Sequence, residues 1–387
     1  MIPYGHQSID QKDIAAVKPV LSSDWLTQGP KIGEFEKNLA RWCGAKYAVA
    51  VSSGTAALHL AYLAAGLKPG DEVITTPNTF VATTNMLLAV GAKPVFCDIR
   101  PDTYNIDETK IEKLITKKTK AIVPVHFAGQ PCAMTEINRI AKKHKLLVIE
   151  DACHALGAKH KNKKVGSLSA MTVFSFHPVK SITTGEGGAI VTNNKNYYQK
   201  MILLRSHGLY KDQQGRNVMT ELGYNYRLTD IQAALGLSQL KKLNQFLVKR
   251  HRVAEWYKKA LGDLGQIILP RQLFGDYSSW HLYVILTKQP AWRDKLKKYL
   301  WQKGVAVNFH YPAVYSQPYY QKIGFKNLKL KNTERYQNSC LTLPCYPGLT
   351  KNQVQFIAKL IKDFFQSYAP LEVSRRKNII NIFSSRS

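Results

Sequence analysis

Acidic residues are scarce in this chain of 387 residues, which carries 26 Asp and Glu against 55 Lys and Arg and has a formal net charge of +29. So large a positive charge makes nucleic acid or another polyanion a partner to consider. The lysines are spread over the whole chain, however, which is typical of a solvated surface. No helix-turn-helix with a basic recognition face is evident, so we expect no nucleic-acid partner. The positive field would also favour an anionic small substrate.

The chain also lacks the cysteine pattern of a zinc site, long apolar runs and a secretory signal. Its six Cys residues form no CxxC pair, and no His is spaced to complete a zinc pattern, so we expect no metal. No apolar run reaches the roughly 18 residues that a membrane-spanning helix needs. The first residues show no charged segment followed by an apolar one. Free thiols suit a reducing compartment, so we expect a cytoplasmic protein that makes no membrane contact.

Apolar strands alternate with helical segments through the first 150 residues. Helices are predicted at residues 52–66, 80–91, 107–117 and 132–144. The predicted strands around them are Tyr47–Val51, Glu72–Thr75, Pro94–Ile99, Lys120–Val125 and Leu146–Glu150. Several strands are apolar without alternation, which is typical of strands covered on both faces. This order predicts an α/β fold with a largely parallel sheet.

The later part of the chain changes character. A long helix is predicted at 229–262, and the last third is predicted to hold strands and helices at 282–287, 291–303, 305–308 and 350–368. We therefore expect a large domain over residues 1–245 and a smaller C-terminal α+β domain over 246–370. Residues 371–387 are basic and rich in Ser, and we expect them to form a flexible tail.

The loop after the first predicted strand has the composition of an anion site. Small residues, Ser52-Ser53-Gly54-Thr55, lead into a helix start, where free N–H groups and the helix dipole attract negative charge. Gly54 and Thr55 are therefore candidate ligands of a phosphate. The alternative is an ordinary N-cap in which the glycine serves a tight turn.

Polar residues end the fifth predicted strand. Asp151 and His154 follow an apolar run, and ligands of open α/β sheets bind outside the carboxyl ends of strands. Asp151 could keep a proton on a heterocycle nitrogen through a charge-assisted hydrogen bond, and His154 could contact an oxygen of the same ring. The alternative is that Asp151 caps the following turn and that His154 is a hydrogen-bonded neighbour.

One lysine stands out because of its surroundings. Lys180 follows a predicted strand and precedes the Gly-rich turn at 185–188, and Ser175 lies just before it in the chain. A lysine can form a Schiff base with an aldehyde when burial or nearby cationic groups lower its pKa. Ser175 could supply a further hydroxyl to a phosphate.

A turn before the long helix is the fourth candidate. Asn225 lies in the segment Gly223-Tyr224-Asn225-Tyr226-Arg227, and such a turn could reach an anion, including one on a neighbouring subunit. The alternative is a plain helix start capped by Thr229 or Asp230.

Together these groups fit pyridoxal 5′-phosphate (PLP). Asp151 would keep the pyridine nitrogen protonated, and Lys180 would bind the aldehyde and carry protons. Phe80 could stack on the face of the ring. The set therefore predicts a PLP-dependent enzyme.

Four long motifs carry a family resemblance, in the order SSGTAAL, EDACHALGA, FSFHPVKSITTGEGG and LGYNYRLTDIQAALGLSQL. Over residues 1–370 the chain resembles the sugar-nucleotide aminotransferases, the family named after DegT, DnrJ, EryC1 and StrS. The resemblance implies the aspartate aminotransferase fold (fold type I) and a homodimer with active sites at the subunit interface. It implies Lys180 on the cofactor aldehyde and Asp151 on the pyridine nitrogen. Its implied phosphate ligands are Gly54, Thr55, Ser175 and, from the partner subunit, Asn225.

C-terminal segments narrow this resemblance. Residues 277–287 and 343–347 resemble family members of pseudaminic acid biosynthesis, as do His154, residues 205–211 and Phe309-His310-Tyr311. Those members transfer an amino group from L-glutamate to C4 of UDP-2-acetamido-2,6-dideoxy-β-L-arabino-hexos-4-ulose. The substrate-site residues that this implies are Tyr4, Trp25, Leu26, Thr27, His310, Tyr311, Pro312 and Ala313.

One departure from those members concerns the substrate site. They read His-Tyr-Lys-Pro where this chain reads His310-Tyr311-Pro312-Ala313. The chain therefore lacks a lysine that could contact the diphosphate of a nucleotide sugar.

Other functions remain open alternatives. A sister aminotransferase acting on a D-series 4-keto, a 3-keto or a 4-keto-pentose nucleotide sugar would share all four motifs. A sugar dehydratase on the same fold carries His at the lysine position, and Lys180 speaks against it. A DNA-binding regulator belongs to a different class, and it would be colourless where a PLP enzyme is yellow. A scaffold with an inactive site is disfavoured by the intact Lys180 and Asp151.

Overall fold

The computed structural model describes residues 1–384, and the side chains of residues 1–367. The helices are α1 Gln11–Leu21, α2 Pro30–Cys43, α3 Gly54–Ala64, α4 Ala82–Ala89, α5 Glu108–Ile111, α6 Met134–His144, α7 Lys195–Arg205, α8 Asp230–Leu261, α9 Pro290–Gln302, α10 Pro318–Tyr320, α11 Lys331–Ser339 and α12 Lys351–Ser384. The strands are β1 Tyr47–Val51, β2 Glu72–Thr75, β3 Lys93–Phe96, β4 Thr119–Val123, β5 Leu147–Asp151, β6 Lys159–His160, β7 Lys163–Lys164, β8 Met171–Ser175, β9 Gly188–Thr192, β10 Leu209–Lys211, β11 Asn217–Met219, β12 Ile267–Ile268, β13 Asp276–Tyr277, β14 Tyr283–Thr287 and β15 Cys340–Leu343.

A seven-stranded mixed sheet has the strand order β1-β9-β8-β5-β4-β2-β3. Strands β3, β2, β4, β5 and β8 pair in parallel, whereas β9 runs antiparallel between β8 and β1. The predicted α/β fold with a largely parallel sheet is confirmed. Strands β1, β5 and β8 point in the same direction, so their carboxyl ends meet at one edge, where open α/β sheets bind ligands.

Local signals explain where two of the helices begin and end. Helix α8 begins after Thr229, which accepts a hydrogen bond from the Gln232 N–H while the Gln232 side chain bonds back to the Thr229 backbone. Helix α2 begins with Pro30, whose missing N–H is not needed in a first turn, and it ends at Gly44, which has a φ of 75°. The helix start capped by Thr229, the alternative considered for this turn, is present in the structure.

Two apolar clusters meet along helix α8. Phe246 and Leu247 pack with the central sheet and helix α2, whereas Val253 packs with the C-terminal strands and helices. Ile2 packs against the second cluster, and its N–H donates to the Gly304 carbonyl at 2.8 Å. The first residues therefore pack with the C-terminal part, and the domain boundary at residue 245 stays a prediction.

Some predicted elements have other bounds in the structure. The helix predicted at 107–117 is limited to α5 and a 3-10 turn at Glu112–Leu114. The strand predicted at 305–308 is wrong, because Val305 and Asn308 make only single bridges, to Ile2 and Thr342 respectively. Helix α12 continues to Ser384, through most of the segment predicted as a flexible tail. Residues 385–387 of that segment lie outside the described residues.

Three further findings concern the described residues. None of their helices combines the length and apolarity needed to cross a membrane. Among the same residues, no group of three or more His, Cys, Asp or Glu side chains is arranged to hold a metal ion. All six Cys residues are free thiols, and only Cys153 is not fully buried.

Candidate active site

A cavity of about 630 Å³ lies at the sheet edge where β1, β5 and β8 end. One wall comes from the central sheet and the loops that leave it, and the other comes from residues 281–282 and 308–311 of the C-terminal part. Most of the predicted site residues line it: Tyr4, Gly54, Thr55, Phe80, Asp151, His154, Ser175, Lys180, His310 and Tyr311.

The start of helix α3 forms the floor beside β8. Ser53 is the N-cap, and its Oγ accepts a hydrogen bond from the Ala56 N–H at 3.1 Å. A Cβ added to Gly54 would lie 2.9 Å from Ser175 Cβ and 3.3 Å from Cys153 Sγ, so only glycine lets the helix start this close. The segment is therefore both the ordinary N-cap and a helix start that faces the cavity with its free N–H groups.

Asp151 closes the end of strand β5 and is buried. Its Oδ1 accepts a hydrogen bond from the Cys153 N–H at 3.1 Å, as expected for an aspartate that caps the next turn. Its Oδ2 accepts a hydrogen bond from the Thr83 hydroxyl at 2.6 Å. The carboxylate therefore lines the cavity in an orientation that the protein itself determines.

Lys180 lies in the turn after β8, and its N–H donates to the His177 carbonyl at 2.9 Å. Burial lowers the pKa of the Lys180 amine, while the nearby Cys153 and Asp151 act in the opposite direction. The described residues offer its Nζ no hydrogen bond. An amine with a lowered pKa loses its proton more readily, which is what a nucleophilic lysine requires.

Three histidines share the cavity with this lysine. Burial, together with the Lys180 charge, lowers the pKa of His154 and of His281 well below the usual value, and it lowers that of His310 to about 3. The His154 and His281 rings lie 4.4 Å apart between centroids. Within the described residues, Nδ1 of His154 and Nδ1 of His281 have no hydrogen-bond partner. All three imidazoles are therefore neutral at pH 7. His154 and His281 retain a free hydrogen-bonding atom, Nδ1.

Aromatic side chains complete the C-terminal wall. The Tyr311 hydroxyl is hydrogen-bonded to His154 Nε2 at 3.1 Å, and burial raises the pKa of Tyr311. Phe80 lies at the rim with 57% of its surface exposed, 6.2 Å from the Tyr311 ring between centroids. The Tyr4 ring lies 5.4 Å from the His310 ring.

Several predicted site residues lie away from this cavity. Trp25, Leu26 and Thr27 are exposed beside the start of helix α8, where the Asp230 N–H donates to the Leu26 carbonyl at 3.0 Å. Asn225 is also exposed, in a single bridge with Ser206.

Pro312 and Ala313 also point away from the cavity. Pro312 is exposed. Ala313 is fully buried among Phe96, Val314 and Tyr320. The fold places the ends of the His310–Ala313 segment in different surroundings, and only its first two residues line the cavity.

Several residues of the cavity carry no sequence signal of a role, among them His281, Thr79 and Thr83. His281 falls within residues 277–287, which carried part of the family resemblance, but its pairing with His154 depends on the tertiary fold. Thr79 and Thr83 lie on either side of the helix start that Phe80 marks, and both line the cavity. A threonine in or just before a helix forms no sequence pattern that indicates a role in the active site.

A lysine of lowered pKa, a buried carboxylate and a helix start in one cavity define an α/β enzyme site. Residues 7–362 match the DegT/DnrJ/EryC1/StrS aminotransferase family, and the chain belongs to it. The protein is a PLP-dependent aminotransferase.

Known relatives cover almost the whole chain. The UDP-4-amino-4,6-dideoxy-N-acetyl-beta-L-altrosamine transaminase of Campylobacter jejuni is 42% identical over 362 residues, which are 92% of this chain and 96% of the relative. The solved structure of Helicobacter pylori PseC, an aminotransferase involved in the biosynthesis of pseudoaminic acid, superposes with a TM-score of 0.91 at 40% identity. It covers 95% of this chain and 100% of its own. Spr1654 from Streptococcus pneumoniae, solved in its PLP form, has a TM-score of 0.90 at 29% identity and covers 95% and 99%.

The residues present fit PLP. Lys180 would hold the aldehyde, and Asp151 would hold the pyridine nitrogen. The bare backbone at Gly54 leaves the helix start open to a phosphate, because a side chain there would meet Ser175. The free Nδ1 of the buried His154 leaves one polar atom for a ligand to satisfy.

Proposed function

We propose that the protein transfers an amino group from L-glutamate to C4 of UDP-2-acetamido-2,6-dideoxy-β-L-arabino-hexos-4-ulose, giving UDP-4-amino-4,6-dideoxy-N-acetyl-β-L-altrosamine. Relatives that carry this product in their names are 40–42% identical over more than nine-tenths of the chain. The single observation that carries the chemistry is Lys180, with its lowered pKa, in one cavity with Asp151. The fold proposed with this function is that of aspartate aminotransferase, fold type I.

Bound PLP supplies an aldehyde for the amino group and a ring that accepts electrons from the bond being broken. Lys180 is the proposed acid and base, since its amine can carry a proton between the substrate carbon and the cofactor side of the cavity. Asp151, held by two donors, would keep a proton on the ring nitrogen. Gly54, Thr55 and Ser175 are the proposed phosphate ligands.

The C-terminal wall is proposed to bind the sugar. Tyr311 and His154 form a neutral hydrogen-bonded pair, which can offer hydrogen bonds to a substrate without placing a charge in the buried wall. Tyr4 and His310 lie beside them, and Phe80 at the rim is placed to cover a ring. We assign these residues to substrate and cofactor contact on that placement.

Two cations lie over Phe309, a residue of this wall, although neither of them lines the cavity itself. Lys297 Nζ lies 4.1 Å and Arg293 Cζ 4.5 Å from the centroid of the Phe309 ring, which lines the cavity. A diphosphate is attracted by such charges.

The exposed site residues are proposed to serve a second subunit. Trp25 and Leu26 lie next to the α8 start, and Leu222 and Met219 are also exposed on the segment that leads to it. Exposed apolar side chains that lie close together are typical of a protein interface. We propose a homodimer in which Asn225 reaches the phosphate in the partner subunit, so the sedimentation mass should be that of two chains.

The location proposed for the protein is the cytoplasm. All six cysteines are free thiols, and such thiols persist in a reducing compartment.

Half-reaction spectroscopy tests the substrate. The enzyme is converted to its aminated cofactor form with L-glutamate and freed of the donor, and two UDP-linked 4-keto sugars that differ at C5 are then offered. We expect the PLP absorbance band to return with the β-L-arabino epimer alone. Wild-type enzyme without sugar is the control, and its band should stay bleached.

Two other results would change the proposal. Return of the band with only the D-xylo epimer would retain the aminotransferase chemistry but reassign the enzyme to a D-series substrate. No return with either sugar would overturn the proposed substrate altogether.

A further inference from the structure

Two threonine hydroxyls form a chain behind the Asp151 carboxylate. Thr83 Oγ1 lies 2.6 Å from Asp151 Oδ2, and Thr79 Oγ1 lies 2.7 Å from Thr83 Oγ1. Both threonines are buried, with 1% and 2% of their surface exposed. Thr83 lies in helix α4 and Thr79 in the loop before it, so one short segment delivers both hydroxyls.

The direction of this chain follows from the number of protons. An ionised carboxylate only accepts hydrogen bonds, and a threonine hydroxyl has one proton to give. Three acceptors lie within reach of Thr83: Asp151 Oδ2 at 2.6 Å, Thr79 Oγ1 at 2.7 Å and the Phe80 carbonyl at 3.2 Å. The shorter contact to the charged acceptor is the stronger one, so Thr83 donates to Asp151. Thr79 can then donate to Thr83, and both hydroxyls are polarised toward the carboxylate.

The two oxygens of Asp151 have separate donors. The Cys153 N–H holds Oδ1 at 3.1 Å, and Thr83 holds Oδ2. A donor on each oxygen fixes the rotation of the carboxylate plane, which a single backbone donor would leave free to turn. The remaining lone pairs are thereby aimed in one direction, and Asp151 lines the cavity.

We propose that Thr83, itself oriented by Thr79, is a positioning residue that holds the Asp151 carboxylate in place for the pyridine nitrogen of PLP. This inference rests on the proposed role of Asp151. Without the hydroxyl, the carboxylate would lose one of the donors that fix its plane. Its contact with the ring nitrogen would then weaken, although the rest of the cavity stays in place.

The experiment compares Thr83→Val, which keeps the shape and loses the hydroxyl, with Thr83→Ser, which keeps the hydroxyl. The matched control is Thr84→Val at the next helix position, because Thr84 is also buried and bonds the Tyr320 hydroxyl at 2.6 Å, away from the cavity. Apoprotein of each variant is titrated with PLP, and the ¹⁵N chemical shift of labelled PLP is recorded for the pyridine nitrogen.

We expect Thr83→Val to weaken PLP binding by roughly tenfold or more, as the loss of a hydrogen bond to a charged group does. The nitrogen shift should move toward that of an unprotonated pyridine. Thr83→Ser should restore both values, and Thr84→Val should change neither. Melting temperatures of all variants, measured without PLP, separate these effects from a general loss of stability.

Two results would overturn the inference. In the first, Thr83→Val melts at a lower temperature, as Thr84→Val does, but retains the wild-type PLP affinity and nitrogen shift. The role of Thr83 would then be structural only. In the second, Asp151→Asn leaves the nitrogen shift of the bound cofactor unchanged. That result would overturn the proposed role of Asp151 itself, and this inference with it.

Discussion

Two cationic side chains, the buried Arg250 and the partly buried Lys180, are used in opposite ways in this protein. Arg250, in helix α8 between the two apolar clusters, donates from Nη1 to the carbonyls of Trp280, His281 and Cys345 at 2.7 to 3.2 Å. Its Nη2 reaches the Val179 carbonyl at 3.5 Å, next to Lys180. The Lys180 Nζ, in contrast, has no hydrogen bond to the described residues and borders the cavity.

The difference separates a structural cation from a reactive one. Burial lowers the pKa of both groups, but a guanidinium keeps its proton at any ordinary pH, and here its donors join segments that are distant in sequence. An amine can lose its proton, and it is free to bond a ligand when the protein offers it no partner. The Arg250 side chain therefore holds the loop that presents Lys180, and Lys180 is left available for chemistry.

The largest expected effect is at the reactive cation. Lys180→Ala should lower turnover by about 10³-fold or more, because it removes the only proposed proton carrier, while PLP and nucleotide binding persist. Turnover is measured with saturating L-glutamate and keto sugar, and binding by equilibrium dialysis. Turnover within about tenfold of the wild-type rate would contradict the role of Lys180.

The structural cation should affect stability instead. Arg250→Met should lower the free energy of unfolding by about 3 kcal/mol, because three buried carbonyls lose their donor. Denaturant titration measures it, and Lys249→Met, at an exposed neighbouring position, is the control. An Arg250→Met protein as stable as the wild type would remove the contrast between the two cations.

Two tyrosines, the partly buried Tyr311 and the buried Tyr257, extend the comparison to hydroxyl groups. The Tyr311 hydroxyl bonds His154, whereas the fully buried Tyr257 hydroxyl has no partner within the described residues. Tyr311→Phe should cost about 1–2 kcal/mol of unfolding free energy, since it leaves the buried His154 Nε2 unpaired. Tyr257→Phe should cost little or nothing. Equal losses in urea titrations of the two variants would contradict this account.

The smallest expected effect is a pH dependence of stability. Because the pKa of Lys180 is lowered in the folded apoprotein, the unfolded chain binds more protons between that lowered pKa and the ordinary value of about 10.4. Through this group the unfolding free energy therefore rises with pH in that window. Thermal melts of apoprotein at about pH 8 to 10 should show a shallower rise for Lys180→Met than for the wild type. If the melting temperatures of both proteins changed in parallel with pH, the lowered pKa of Lys180 would be contradicted.

The fold could be predicted where local patterns carry it. Strands Tyr47–Val51 and Glu72–Thr75 were predicted at their observed bounds, because continuous apolar runs between turn residues are a strong signal. Helix α7 was not predicted, since Lys195–Arg205 has apolar and polar residues on all sides and no clear amphipathic period. Residues 305–308 have the sequence of a strand, but they form only single β-bridges, to Ile2 and Thr342. A local sequence pattern cannot predict these distant partners.

The candidate site also has a part that short segments of sequence predict and a part that only tertiary contacts determine. The Asp151 and Lys180 wall could be predicted because strand ends and Gly-rich turns are visible in short segments of sequence. The pairing of His154 with Tyr311 and His281 joins residues more than a hundred positions apart. The resemblance implied that Ala313 belongs to the substrate site, but helix packing buries it with Phe96.

The sequence by itself determined the alternation of strands and helices, the family, the cofactor and the lysine, because each is written in contiguous residues whose local preferences agree. Only the tertiary structure decided which polar atoms are satisfied and which are left open. The Nη1 group of Arg250 and the carboxylate of Asp151 bond to segments from across the chain. The amine of Lys180 has no hydrogen bond to the described residues. That distinction depends on burial and on distances in space. It gives Arg250 a structural role and leaves Lys180 available for catalysis.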